Sequence, residues 1–254
     1  KTLCVLIKSY LTFLTFLSFL TLISALISFK SNSQEINYDP SPEIIKSFEK
    51  TADSLLMLLT IEQKASQMLS TSASIPELGI EMYNWWNEAL HGVARSAKAT
   101  VFPQAIAMGA TFDPELIQQT ANAISDEARA MYNIFSDKGM RTEYTGLTFW
   151  SPNINIFRDP RWGRVGETFG EDPYLVTQMG SAMINGLQQD DFTGLNKVIA
   201  CAKHLIAGSE PINGLNLSPM DISQRTLNEI YLPPYKKAID IGVFSIMAAH
   251  NEVN

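Results

Sequence analysis

The sequence predicts an α/β protein whose parallel strands form part of a TIM-like (β/α)8 barrel, preceded by N-terminal helices and an export segment. Three observations carry this. Apolar, strand-like runs alternate with amphipathic stretches of about 15 to 20 residues, and parallel neighbours need a crossover that a helix commonly supplies. Polar residues recur just past the strand-like runs, at Arg158 to Arg164, at Lys203-His204 and at His250-Asn251. A barrel gathers its strand ends around one mouth, so these groups would meet in one pocket. No Gly-rich phosphate loop stands at a strand-to-helix turn, which counts against an open doubly wound sheet.

The chain opens with an uncharged run from Ser9 to Phe29, led by Lys1 and Lys8 and followed by Glu35, Asp39 and Glu43. That order of charge is the one export segments use. The run is longer than a signal core of about 7–15 residues and approaches the roughly 20 needed to cross a bilayer. Residues 1–34 therefore read as a signal peptide or membrane anchor, with Ser31 to Gln34 offering small polar residues for cleavage. Residues 35–254 read as the partial barrel domain, exported to a periplasmic or extracellular location. Membrane contact is expected only if the segment stays uncleaved.

Past a linker from Gln34 to Ser41, residues 42–59 carry Ile44, Ile45, Phe48, Leu55, Leu56 and Leu59 at helical spacing, and a second helix starts near Thr60 with Glu62 in its first turn. Residues 99–110 read as extended. Asp113-Pro114-Glu115 opens a helix to about Phe135, with proline in the first turn, where its missing N–H costs nothing. Residues 149–157 are the next strand, and Glu171-Asp172-Pro173 opens a helix to about Leu187. Residues 197–206 form a strand, a helix from about Ser223 is interrupted at Pro233-Pro234, and residues 242–249 form one more strand. About five or six strand candidates fall short of the eight in a full barrel of about 250 residues, and the chain stops just past a strand, so an incomplete barrel is expected.

The formal charge is −7, or −10 without the three lysines of the first 34 residues. Such an acidic body argues against nucleic acid as a partner. Cys4 lies in the export segment, which leaves Cys201 alone, flanked by Ile199, Ala200 and Ala202. It reads as a small buried hydrophobe.

Three constellations carry chemistry. Glu88 and His91 lie in Trp85-Trp86-Asn87-Glu88-Ala89-Leu90-His91-Gly92. Tryptophans beside a carboxylate suit a sugar, whose C–H faces stack on rings while its hydroxyls donate to the carboxylate; the alternative is a core aromatic pair with a surface glutamate. Arg158, Arg161 and Arg164 present fixed guanidinium donors, or else close ion pairs with Asp159, Glu167, Glu171 and Asp172. Lys203 and His204 end a strand, and strict alternation sends them to opposite faces unless the strand bulges or ends there. The competing arrangement is a zinc site from His91, His204, His250 and Glu88. It lacks any H-x-H or H-E-x-x-H pair, and no G-x-S-x-G nucleophile elbow occurs. No metal or cofactor is expected.

The motifs Asn87-Glu88-Ala89-Leu90-His91-Gly92, Val101-Phe102-Pro103-Gln104, Arg158-Asp159-Pro160-Arg161-Trp162-Gly163-Arg164, Gly170-Glu171-Asp172-Pro173 and Ala202-Lys203-His204 together resemble the N-terminal domain of glycoside hydrolase family 3. The resemblance runs over roughly residues 45–254. It implies a TIM-like barrel, export, and retaining exo-hydrolysis of terminal β-linked glucose or xylose from an oligosaccharide or glycoside. It also implies that Glu88, Arg164, Lys203 and His204 hold the terminal sugar, while Arg158 and Arg161 gain no such role.

The family's nucleophile is an aspartate some thirty residues past a Met-x-x-Tyr-Asn motif. Here that motif reads Met247-Ala248-Ala249-His250-Asn251. The nucleophile and the acid/base glutamate are accordingly expected beyond residue 254, and the 254-residue chain is expected to bind sugar without cleaving it. The competing expectation is a non-catalytic carbohydrate-binding protein derived from the same barrel.

Overall fold

The computed structural model describes residues 42–188 and 196–253. Residues 1–34, read from sequence as an export segment, and the expected linker from Gln34 to Ser41 lie outside the described residues. Among the described residues, no helix is long and apolar enough to cross a membrane.

Two helices lead, α1 (Pro42–Leu56) and α2 (Ile61–Gln67). Thr60 and Gln63 close a reciprocal capping box at the start of α2, satisfying two backbone donors that a helix leaves open. The strands β1 (Thr71–Ser72) and β2 (Tyr83–Asn84) then pair antiparallel. Neither was foreseen, because two residues are too few to show a period.

The body is α/β. Strands β3 (Thr148–Phe149), β4 (Ile199–Leu205) and β5 (Ser245–Ala248) form a three-stranded parallel sheet in the order β3-β4-β5. Helix α3 (Ala105–Gly109) and the long α4 (Pro114–Asp137) precede β3, and α5 (Pro173–Gln188) crosses from β3 to β4. Between β4 and β5 run α6 (Gln224–Thr226), a π-helical turn at Leu227–Tyr231, and α7 (Pro233–Asp240). The break falls at the foreseen Pro233-Pro234, since proline there has no N–H to continue the preceding helix.

The start signals of α4 and α5 act as read. Asp113 accepts the Leu116 N–H at 3.0 Å ahead of Pro114, and Asp172 accepts the Leu175 N–H at 2.7 Å ahead of Pro173. Ile117, Ala121, Ile124 and Ala128 line one face of α4 and are buried, as are Val176, Met179, Met183 and Leu187 of α5. The two helices meet where Gly186 lies against Ala121 and Gln118. Ala200 and Ala202 of β4 are fully buried, and Cys201 beside them is buried and free.

Two strand assignments change. Residues 105–109 of the stretch read as extended form α3 instead. Its start carries no side-chain cap to announce it, and tertiary packing selects the helix: Ala105 and Met108 are buried, and Gly109 sits so close to the Phe169 carbonyl that a Cβ would stand 2.0 Å from it. Residues 149–157 pair as a regular strand only at Thr148–Phe149. Beyond Trp150 the chain still runs beside β4, through Cys201 N to Ser151 O (2.9 Å), Lys203 N to Pro152 O (3.1 Å) and Ile154 N to Lys203 O (2.8 Å). Pro152 has no N–H to give, so the ladder is irregular there.

Candidate functional site

Glu88 sits on the loop after β2, and that loop is clamped to β3. The buried Asn87 amide donates to the Thr148 carbonyl at 2.8 Å and accepts from the Gly146 N–H at 2.8 Å. Trp150 N–H donates to Asn87 O and Ala89 N–H to Ser151 Oγ. Asn87 was legible only as a letter in a motif. Its work, joining two segments some sixty residues apart, has no local signature.

The two tryptophans part company. Trp86 donates its indole N–H to Glu88 Oε1 at 3.0 Å and stacks on Trp150 with ring centroids 5.1 Å apart. Trp85 turns away, 41% exposed, and donates to Ser72 Oγ at 2.9 Å. Only Trp86 therefore accompanies Glu88. The other Glu88 oxygen lies 3.6 Å from Arg95, whose guanidinium stands over the Tyr144 ring.

Arg164 donates through Nε and Nη2 to the two oxygens of Glu167, at 2.9 and 2.7 Å, and stands over the buried Trp162 ring. Arg161 is taken up by Asp159 in the same bidentate manner, and the exposed Arg158 hydrogen-bonds toward Tyr231. Of the three arginines, Arg164 alone adjoins the Lys203-His204 pair: its Nη2 lies 3.3 Å from His204 Nε2. His91 is engaged elsewhere, its Nδ1 meeting the Phe102 carbonyl O at 2.9 Å.

His204 touches Arg164, and Lys203 lies in the field of the Arg164–Glu167 pair. The β4–β5 register shifts between Lys203 and Leu205, which relieves the alternation that would part them. Both are buried, and His204 is held by Asn155, whose Oδ1 accepts the His204 backbone N–H at 2.8 Å. Asn155 was passed over in the sequence because nothing local marks a strand asparagine as a partner for a residue on the next strand.

The electrostatics tie the group together. Burial pulls the Lys203 ammonium below its ordinary value, with the Arg164 charge acting the same way and the Glu167 and Glu88 carboxylates acting against it. Glu88 is thus within electrostatic reach of Lys203. Burial, helped by Arg164 and Lys203, takes the His204 imidazole down to about 3, so it is neutral at ordinary pH. Burial pushes the Glu167 carboxyl up, but the Arg164 bonds, the Lys203 charge and the Asn153 amide together hold it below the usual range. Arg164 and His204 thus stand in contact with Lys203 close by, and Glu88, beside the Trp86–Trp150 stack, acts on Lys203 through its charge. Such a set can hold a hydroxyl-rich ring.

A family model described as the glycosyl hydrolase family 3 N-terminal domain matches residues 52–254. The chain belongs to glycoside hydrolase family 3. Among family 3 relatives, it is 38% identical over 236 residues to a xylan 1,4-β-xylosidase of Xylanibacter ruminicola, covering 91% of this chain and 27% of that protein. It is 41% identical over 225 residues to a probable β-D-xylosidase of Arabidopsis thaliana, covering 81% and 28%. Among solved family 3 structures, an exo-β-xylosidase in complex with a xylobiose aziridine probe aligns with TM-score 0.69 at 36% identity, covering 80% of this chain and 27% of that one. A β-glucosidase from Listeria innocua in complex with glucose aligns with TM-score 0.55 at 35% identity, covering 65% and 21%. The chain therefore spans little more than a quarter of the length of the curated relatives it matches.

Proposed function

We propose that this chain is the sugar-holding N-terminal part of an exported, retaining exo-β-glycosidase acting on terminal β-linked xylose or glucose, with Glu88, Arg164, Lys203 and His204 gripping the terminal sugar. The observation that carries the reading is the Arg164–His204 contact with Lys203 close by, and Glu88, beside the Trp86–Trp150 stack, acting on Lys203 through its charge. Glu88 accepts hydroxyl hydrogen bonds. Arg164 and Lys203 donate to sugar oxygens, and the neutral His204 completes the set. The relatives' names, β-xylosidases and β-glucosidases, agree with this chemistry.

Bond cleavage is assigned to carboxyl groups outside these residues. A retaining mechanism uses two carboxyl groups about 5–5.5 Å apart, one attacking the anomeric carbon and one protonating the leaving oxygen. Glu88 is held by Trp86 and Arg95, and Glu167 is held by Arg164, so neither is free to attack. The cleaving groups are assigned to chain beyond residue 254, in keeping with a relative of which this chain matches 27%. The same proposal gives the domain the form of an incomplete barrel and gives residues 1–34 the export role read from their sequence.

The test uses the product of the complete reading frame and the 254-residue chain side by side. The complete product hydrolyses a chromogenic β-xyloside or β-glucoside, and Lys203→Met lowers its kcat/KM by roughly 100-fold, the size expected for a buried charged donor. The 254-residue chain binds the free sugar without turnover. A complete product inert toward both glycosides sinks the enzyme reading and favours the binding protein; turnover by the short chain, abolished by Glu88→Gln, sinks the division of labour.

A further inference from the structure

Both ring nitrogens of His204 face nitrogen atoms. Asn155 Nδ2 lies 3.3 Å from Nδ1, and Arg164 Nη2 lies 3.3 Å from Nε2. A neutral imidazole accepts at one nitrogen and donates at the other, and a guanidinium only donates. The two contacts cannot both be hydrogen bonds. One of them sets two N–H groups face to face.

Which one it is depends on which neighbour can turn. Asn155 Oδ1 accepts from the backbone N–H of His204 at 2.8 Å and from the Tyr235 hydroxyl at 3.2 Å. Exchanging its amide oxygen and nitrogen would aim an N–H at an obligatory backbone donor. Asn155 is 4% exposed and Tyr235 3%, so no solvent stands by to relieve that clash. Nδ2 therefore stays on Nδ1, and Nδ1 is the acceptor. Arg164 is half-buried, and an N–H facing it has room to find an oxygen.

We infer that Asn155 is a positioning residue: it holds His204 as the Nε2–H tautomer, so that the Nε2–H, which finds no acceptor on Arg164, is left as a donor for a hydroxyl oxygen of the bound sugar. Naming the sugar rests on the function proposed above; the tautomer stands on protein contacts alone. Another nitrogen donor, the Lys203 ammonium, lies close by.

The experiment labels the histidines of the chain with nitrogen-15 and reads which ring nitrogen of His204 carries the proton, from two- and three-bond couplings to the ring hydrogens. There are three histidines to assign. The expected spectrum shows Nε2 protonated and Nδ1 bare; a proton on Nδ1 overturns the inference. In Asn155→Asp the carboxylate accepts from both the backbone N–H and the ring, so the proton appears on Nδ1. An unchanged Nε2–H form with bare Nδ1 overturns the positioning role. Should that variant not fold, Asn155→Ala removes the amide donor and is expected to give a mixture of tautomers, and a pure Nε2–H form there overturns the role equally. Titrating xylose or glucose into the labelled chain shifts the Nε2–H signal. No shift with the Nε2–H form intact sinks the sugar reading and leaves the tautomer assignment standing.

Discussion

Arg164 and Glu167 meet through two parallel N–H···O bonds of 2.9 and 2.7 Å across a single 3-10 turn, Val165–Glu167. The fork fixes the plane of the guanidinium as well as its place, which a single bond would not do. Its carboxylate also lies in the field of Lys203, so one acidic side chain balances two buried or half-buried cations.

Glu167→Gln keeps the shape and removes the charge. With both partners about one-third exposed, solvent screening holds the expected loss to about 1–2 kcal/mol of stability. Sugar affinity is expected to fall roughly tenfold because Arg164 loses its fixed plane, the equivalent of about 1.4 kcal/mol. Urea denaturation and calorimetric titration of xylose or glucose read the two effects; a stability loss with unchanged affinity would show that the pair only braces the loop.

Trp86 and Trp85 make a matched pair of controls. Trp86→Phe removes the donor to Glu88 Oε1 while keeping a ring against Trp150, and it is expected to weaken sugar binding by roughly 3- to 10-fold, the range of one ordinary hydrogen bond. Trp85→Phe loses only the bond to Ser72 and leaves the affinity unchanged. Equal effects from both would place Trp85 in the site as well.

Acid should destabilise the domain from near-neutral pH downward. His204 titrates at about 3 when folded, against an ordinary 6.5, so between those values the unfolded chain binds the extra proton. Stability is then highest above the unfolded value and falls with decreasing pH, by up to about 1.4 kcal/mol per pH unit for this one group. Glu167, held below its ordinary 4.5, adds a loss of the same sign as pH drops through its folded value. His204→Gln should flatten the decline between pH 6.5 and 4.5 in thermal melts; an unchanged slope would show that the ring is not buried in neutral form.

Gly186 of α5 packs directly against α4. A Cβ there would stand 2.4 Å from the Ala121 Cβ and 2.5 Å from the Gln118 carbonyl O. Gly186→Ala is expected to cost about 1–3 kcal/mol by forcing the helices apart, in spite of the roughly 1 kcal/mol that alanine offers a helix. Gly163→Ala, with nothing within 4 Å, should stay within about 0.5 kcal/mol. Denaturation midpoints of the two variants compare them directly.

The sequence by itself determined the parts of this protein that are settled within a few residues of chain. The starts of α2, α4 and α5 were legible because a cap, a proline or a first-turn acid acts on the backbone beside it. The alternation of apolar runs and amphipathic helices was enough for the α/β class, and the motifs drew attention to Arg164 and His204, which lie in contact in the structure.

Only the tertiary structure decided the rest. It made residues 105–109 a helix through the contact of Gly109 with Phe169, and it sent Trp86 to Glu88 while Trp85 turned to Ser72. It also set Asn87 and Asn155 as the clamps behind Glu88 and His204. Each of these outcomes depends on a partner from a distant stretch of chain, and an amide or an apolar run carries no local preference strong enough to name that partner in advance.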